Sequence, residues 1–190
     1  NATEVPGRPL AGSSLRGGGR WTARPIAWVV LRIDHHLVNV EGIINDCRQE
    51  LADGGFTVAA LVGDELGCDW AYTIGLHRNY DHPELLVVGL DAPVAGAVLE
   101  LAGAQVAAGR RIEVGDRWVI EGGLGFCARE IDPLFASHGD WFNLGREVMS
   151  AWGDRWPSTV QLVWGDAGDE CVGAGSERAW SLRQPLLFNA

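Results

Sequence analysis

The sequence contains no lysine, since all fifteen of its basic residues are arginine. A Schiff base with a carbonyl substrate and the internal aldimine of pyridoxal phosphate both require a lysine amine. The chain can supply neither kind of covalent chemistry.

Closely spaced cysteines are also absent. Cys47, Cys68, Cys127 and Cys171 form no C-x-x-C pair, which argues against a zinc ribbon and against a redox dithiol. For cysteines scattered in this way we expect free thiols in a reducing cytoplasm. Cys68 lies in a predicted turn and is the one cysteine that we would test for reactivity.

Long apolar runs and nucleotide-binding motifs are missing as well. The apolar run near the start, residues 25–31, has seven residues, whereas a membrane span needs about 20. It is flanked by Arg24 and Arg32, and no small-residue cleavage pattern follows it. We therefore expect no membrane segment, no secretory signal and a cytoplasmic location. The chain has no G-x-G-x-x-G motif and no P-loop, so nothing argues for a dinucleotide or a nucleoside triphosphate.

Charge is unevenly distributed along the chain. The net charge is −10, but residues 1–32 contain five arginines and one acid, Glu4, which leaves −14 on the remainder. An acidic body of this kind repels phosphate backbones and anionic lipids, so we expect no nucleic-acid or membrane role. Residues 1–32 have the composition of a solvated basic arm, and residues 33–190 are predicted to form a single domain.

Apolar periodicity predicts the order of helices and strands. Asn39 is a plausible N-cap for a helix that ends near Gly54, and Asp91 followed by Ala92-Pro93 begins a second helix that ends at Gly109. A short helical turn begins at Asp132-Pro133, and a third helix is predicted over 140–152. The predicted strands cover 56–62, 70–75, 85–90, 112–121, 124–131 and 159–164. These elements indicate an α+β domain with a mixed, mostly antiparallel sheet packed by about three helices.

Four short sequence blocks carry a family resemblance. They are YTIGL at 72–76, HPELLVVGL at 82–90, QLVW at 161–164 and QPLL at 184–187. In this order and at these separations they resemble the bacterial family called domain of unknown function 4262, over roughly residues 40–188. The resemblance implies a shared fold and carries over no activity, cofactor or site residue.

The loop 76–84 joins two predicted buried strands and is rich in polar side chains. Loops held by buried strands are where binding and catalytic residues concentrate. His77, Asp81, His82 and Glu84 could ligate a divalent metal, although we assign no metal site. His82 and Glu84 could instead act as a base and the group that orients it, and they are our candidate catalytic residues. The alternative is that the loop 76–84 has only a structural role.

Aromatic residues suggest a pocket beside this loop. Nine tryptophans are many for 190 residues, and some could line a cavity for a flat ligand. The predicted ligand-binding residues are Trp70, Tyr72, His77, Arg78 and Trp164. We expect His82 and Glu84 at the mouth of this cavity.

Three function hypotheses stay open. The first is a small-molecule-binding protein or an enzyme with a pocket near the loop 76–84. The second is an immunity or regulatory module that uses its acidic surface to bind a protein partner, and a homo-oligomer is compatible with either. The third is a flavin-binding oxidoreductase, suggested by the many strands and aromatic residues. The sequence specifies no cofactor.

Overall fold

A seven-stranded mixed sheet forms the centre of the fold. The computed structural model describes residues 28–32, 39–63, 67–119, 124–137, 140–166 and 187. The strands are β1 Trp28–Arg32, β2 Thr57–Val62, β3 Trp70–Ile74, β4 Glu84–Val88, β5 Arg117–Val119, β6 Leu124–Glu130 and β7 Thr159–Asp166. The helices are α1 Val40–Ala52, α2 Leu76–Tyr80, α3 Ala92–Ala107, α4 Pro133–Ser137 and α5 Asn143–Ser150.

The strand order in the sheet is β1-β2-β3-β4-β7-β6-β5. The β1–β2 and β4–β7 pairs are parallel, and the other four neighbouring pairs are antiparallel. The consecutive strands β2 and β3 form an antiparallel pair, and β3 and β4 are neighbours, with Tyr72 opposite Leu86. The predicted fold class, an α+β domain with a mixed and mostly antiparallel sheet, is therefore confirmed.

Each face of the sheet is covered by its own helices. Alternation along β3 directs Ala71 to one face, and Tyr72 and Ile74 to the other. The first face packs against α3, which buries Val98 and Leu99 among the side chains of the first hydrophobic cluster. The second face packs against α1 and α5, and here the buried side chains include two helical residues, Leu51 and Met149. The sheet thus separates two hydrophobic clusters.

Helix ends agree with the predictions in position and differ in one chemical detail. Asn39 caps α1 by accepting a hydrogen bond from the Gly42 amide at 3.0 Å. Asp91 precedes α3 as expected, but its side chain makes no capping bond. The amide of Ala92 instead donates to the Asp69 carboxylate at 2.8 Å. Asp69, which directly precedes β3, therefore caps the start of α3 in place of Asp91.

The boundary of the basic arm was placed too far along the chain. Residues 28–32 are not part of an arm, because they form β1, which pairs in parallel with β2. The apolar, β-branched residues of this segment favour a strand. The segment was nevertheless included in the arm because the residues before it are rich in arginine. Residues 1–27 lie outside the described residues.

Two other segments differ from the predicted elements. Within the predicted strand 112–121, β5 begins only at Arg117, because Val114 and Gly115 form a turn before it, and residues 120 and 121 lie outside the described residues. The loop 76–84 contains the short helix α2. Within the part of the chain that the structure describes, no helix combines the length and hydropathy needed to cross a bilayer.

The cysteines correct one expectation. Cys47 and Cys68 are free thiols, whereas Cys127 of β6 is disulfide-bonded. The expectation of free thiols is therefore wrong for Cys127. Cysteine spacing alone does not reveal a pairing that depends on how strands and loops come together in space.

Candidate functional site

Glu84, one of the two predicted catalytic residues, is the first residue of β4 and is fully buried, with 0% of its surface exposed. Its carboxylate accepts hydrogen bonds from the amide of Gly75 at 2.9 Å, the amide of His77 at 3.1 Å and the hydroxyl of Thr73 at 2.6 Å. Thr73 in turn accepts from the amide of Leu85 at 2.8 Å. The carboxylate therefore joins the end of β3, the start of α2 and the start of β4.

Burial also changes the protonation of Glu84. Desolvation raises the pKa of this carboxyl from 4.5 to about 7, and the hydrogen bonds from Thr73, His77 and Gly75 limit the rise. A carboxyl with a pKa near neutrality can exchange a proton. Here, however, every hydrogen bond that it makes goes to the surrounding fold.

His82, the second predicted catalytic residue, is 2% exposed. Its Nδ1 lies 2.7 Å from the carbonyl oxygen of Pro83, and a carbonyl can only accept, so Nδ1 carries the proton. Nε2 accepts a hydrogen bond from the amide of Ile112 at 2.9 Å. Burial lowers the pKa of His82 below its usual 6.5, which favours this neutral form. Both ring nitrogens thus hold neighbouring backbone in place.

The remaining residues of the loop 76–84 are tied mainly to the α1–β2 connection. The Asn79 amide donates to the carbonyl oxygens of Leu51 and Gly55, at 2.9 and 2.6 Å. The Tyr80 hydroxyl donates to the carbonyl of Gly54 at 2.8 Å. The loop begins at Gly75, whose φ of +109° is in the region that favours glycine. These contacts favour the structural alternative for the loop, and the catalytic roles of His82 and Glu84 stay predictions.

The predicted ligand-binding aromatics are not brought together. Tyr72 and Trp70 lie on the α1/α5 face, where the Tyr72 hydroxyl accepts a hydrogen bond from the amide of Gly145 at 3.2 Å. Trp164 lies on the α3 face and donates to the carbonyl of Val88 at 2.8 Å. Because the sheet separates them, these three residues cannot wall one pocket. The two polar candidates, His77 and Arg78, are exposed on α2.

A pocket of about 630 Å³ lies elsewhere, on the α5 side of the loop. Three segments line it: residues 130–137, from the end of β6 through α4, Arg146 of α5, and residues 154–159, which lead into β7. None of the seven predicted site residues lines this pocket. His82 and Glu84 are both buried in the strand-and-helix junction, and their place at the mouth of a ligand cavity stays a prediction.

The aromatic wall of this pocket is Trp156. Its ring stacks on Phe142, with centroids 4.8 Å apart and an interplanar angle of 15°, and meets Tyr72 edge-on at 5.5 Å. Its indole nitrogen donates to the Thr159 hydroxyl at 3.0 Å. Glycine at 145 lets α5 approach, because a Cβ there would collide with the Trp156 ring. The indole is therefore held in one orientation before any ligand arrives.

Of the residues that the structure describes, four charged ones line the pocket: Glu130, Arg146, Asp154 and Arg155. Arg146 is half-buried, and its guanidinium donates to Asn143 Oδ1 at 3.3 Å and to the carbonyl of Ala136 at 3.4 Å. Arg155 is exposed. The pocket thus combines two guanidinium groups with two carboxylates and the indole of Trp156.

The pocket and the loop 76–84 are neighbours. Arg78 forms an ion pair of 2.7 Å with Asp154, and its guanidinium lies 4.4 Å from the centre of the Trp152 ring. The amide of Glu84 donates to the carbonyl of Ser158 at 3.0 Å. Arg78 and Glu84 therefore each contact a residue that lines the pocket.

Sequence reasoning missed Arg146, Arg155 and Trp156. Residues 154–159, DRWPST, place charged and aromatic side chains directly before a buried strand. The same pattern drew attention to the loop 76–84, so the signal that could have found them was available. Among the described residues, no three side chains of His, Cys, Asp or Glu converge to hold a metal ion.

Comparison with known proteins identifies the family of the chain and nothing beyond it. No curated protein and no solved structure is significantly similar to this chain. The family model described as "Domain of unknown function (DUF4262)" matches residues 50–170, which is more than half of the sequence and includes both the loop 76–84 and the pocket. On this match, the chain belongs to the DUF4262 family.

Proposed function

We propose that this protein binds a small molecule in the pocket lined by residues of 130–137, Arg146 and residues 154–159. The observation that carries the proposal is the fixed indole of Trp156 beside two guanidinium groups, in a pocket of about 630 Å³. Small-molecule sites typically enclose about 300–1,000 Å³ and combine an apolar wall with a few convergent polar groups. The pocket has both properties.

Binding fits this pocket better than catalysis. Among the lining residues that the structure describes there is no histidine and no cysteine, the two side chains that most often serve as base and nucleophile near neutral pH. The acidic groups of this described lining are Glu130 and Asp154, and Asp154 is engaged by Arg78. The proposal is therefore a binding protein, and an enzymatic role for His82 and Glu84 stays a separate prediction.

The test is a fragment screen by ligand-observed NMR against the full chain and two variants. Ser158→Trp places a large side chain in the pocket at an exposed position, so we expect loss of fragment binding without loss of folding. Ser150→Trp is the matched control, because Ser150 is exposed on α5 and does not line the pocket. Equal binding by all three proteins would contradict the proposal.

The other hypotheses stay predictions. A protein-interaction role rests on the net charge of −10, and a flavin-binding oxidoreductase rests on the number of strands and aromatic residues. A cytoplasmic location also stays a prediction. The oxidation state of Cys127 in cells bears on it, because disulfides persist mainly in oxidising compartments.

A further inference from the structure

We infer that the ligand of this pocket is a singly charged organic anion, a carboxylate on an aromatic or aliphatic body. The inference rests on the proposed function and names the class of ligand. Its basis is how the four charged residues of the lining are arranged.

The two carboxylates of the lining are not equivalent. Asp154 pairs with Arg78, which lies outside the lining, at 2.7 Å. This ion pair offsets the negative charge that Asp154 brings to the pocket. Glu130 is exposed at the end of β6. The described lining therefore contains two arginines, Arg146 and Arg155, and two carboxylates, of which Asp154 is paired with an arginine outside the lining, in a chain whose net charge is −10.

The two arginines lie at different depths. Arg146 is half-buried and close enough to the buried Tyr72 to lower the pKa of its hydroxyl, an effect that is smaller than the increase caused by burial. Its contacts with Asn143 Oδ1 and the carbonyl of Ala136 orient the guanidinium. Arg155 is exposed. A planar guanidinium matches the two oxygens of a carboxylate, so either arginine can bind one anionic group, Arg146 in the interior of the pocket or Arg155 at its rim.

The rest of the lining fits an apolar body. Ile131, Pro133, Ala136, Trp156 and Pro157 contribute carbon surface. Contact with the Trp156 ring suits a flat or aliphatic group. A free inorganic anion would leave this surface without a partner. The lining therefore fits a ligand with an anionic end and an apolar end.

Glu130 favours one negative charge over two. Its carboxylate lines the same pocket, and repulsion grows with the charge of the ligand. A carboxylate carries one charge near neutral pH, whereas a phosphate monoester carries nearly two. We therefore name a carboxylate and use phosphate as a comparison in the test.

The experiment titrates the full chain with a panel of matched aryl and alkyl carboxylates and their carboxamides, with inorganic phosphate as a further probe. Isothermal calorimetry at low salt gives each Kd. We expect the carboxylates to bind at least tenfold more tightly than their amides and phosphate to bind weakly. Arg146→Gln and Arg155→Gln should each remove most of this preference, and Glu130→Gln should strengthen carboxylate binding. Arg110→Gln is the matched control, because Arg110 is exposed at the end of α3 and does not line the pocket.

The outcomes separate this inference from the proposed function. If amides bind as tightly as carboxylates, or if the two arginine variants keep the preference, the inference is overturned while small-molecule binding in the pocket stands. The same holds if no member of the panel binds although fragments of the general screen do. If no fragment of any kind binds the pocket, both proposals fail.

Discussion

The loop 76–84 and the pocket-lining segment 154–159 contain similar types of residue but differ in how deeply their chemically important polar side chains are buried. Both place charged, hydroxyl and aromatic residues directly before a buried strand, β4 in one case and β7 in the other. In the loop, the polar atoms of His82 and Glu84 are buried and bonded to neighbouring residues of the fold. Around the pocket, Arg155 and Ser158 are exposed.

This difference shows what decides whether a polar residue can serve a ligand. A buried carboxylate must find donors within the fold, because an unpaired one costs several kcal/mol. The donors that it binds are then left without an acceptor if the carboxylate is removed. An exposed residue at the rim of a pocket is hydrogen-bonded to water instead, and it can exchange that water for a ligand.

The largest expected effect is on stability, and it contrasts the same residue type in the two regions. Glu84→Ala leaves the amides of Gly75 and His77 and the hydroxyl of Thr73 without their acceptor. We expect the free energy of unfolding to fall by about 4 kcal/mol. Glu130→Ala, at an exposed position, should change it by no more than about 0.5 kcal/mol. Urea denaturation measures both, and a loss below about 1 kcal/mol for Glu84→Ala would refute the structural role of this carboxylate.

The second prediction uses the pKa of Glu84. The pKa is about 7 in the folded protein and 4.5 without burial, so the folded state binds more protons between these values. The contribution of Glu84 to stability is therefore fully present below pH 4.5 and is lost as the pH rises to 7, a change on the order of 3 kcal/mol.

Glu84→Gln isolates this effect, because glutamine does not titrate. The unfolding free energy of the wild-type protein minus that of the variant is measured from pH 4.5 to 8. This difference should decrease as the pH rises, because only the wild-type protein has the titrating carboxyl. Titration of His82 and of other groups common to both proteins cancels in the difference. A difference that is independent of pH would contradict the raised pKa.

A matched pair of histidines in the same loop gives the third prediction. His82→Ala removes the acceptor of the Ile112 amide and the donor to the Pro83 carbonyl, and we expect a loss of about 2 kcal/mol. His77→Ala, at an exposed position, should cost less than about 0.5 kcal/mol. Thermal unfolding compares the two. A stable His82→Ala protein with tenfold weaker ligand binding would instead support the catalytic or binding role predicted from the sequence.

The smallest expected effect concerns the contact between the two regions. Arg78→Gln breaks the ion pair with Asp154 and the contact with Trp152, which together contribute about 1 kcal/mol. The released carboxylate of Asp154 should also weaken carboxylate binding in the pocket about threefold. Arg111→Gln is the control, because its ion pair with Asp81 is long, 3.9 Å, and exposed. An unchanged Kd in Arg78→Gln would show that the two regions act independently.

Most of the fold could be predicted from residue patterns within short segments of the sequence. The Asn39 cap and the Ala92-Pro93 helix start depend on local geometry and were predicted correctly. The strand at 28–32 was missed because its apolar residues directly follow an arginine-rich stretch, and its pairing with β2 across an intervening helix cannot be read from a short segment.

The candidate site was harder to predict, for a physical reason. Residue type and spacing show that His82 and Glu84 can do chemistry, but not that their partners are the amides of Gly75, His77 and Ile112. Trp70 and Trp164 are both aromatic residues of strands, and only the order and register of those strands put them on opposite faces of the sheet. Which atoms face a pocket follows from the packed structure.

The most direct test of the pocket assignment follows the indole N–H signals of the nine tryptophans by NMR during titration with naphthalene-2-carboxylate, or with the carboxylate of the panel that binds most tightly. Single Trp→Phe variants assign the signals. The indole of Trp156 bonds to Thr159 at the pocket wall, whereas that of Trp164 bonds to Val88 on the other face of the sheet. We predict that the Trp156 signal shifts with saturation while the Trp70 and Trp164 signals stay in place. A shift of the Trp70 or Trp164 signal while the Trp156 signal stays in place would contradict the assignment. It would instead support the ligand-binding residues that were predicted from the sequence.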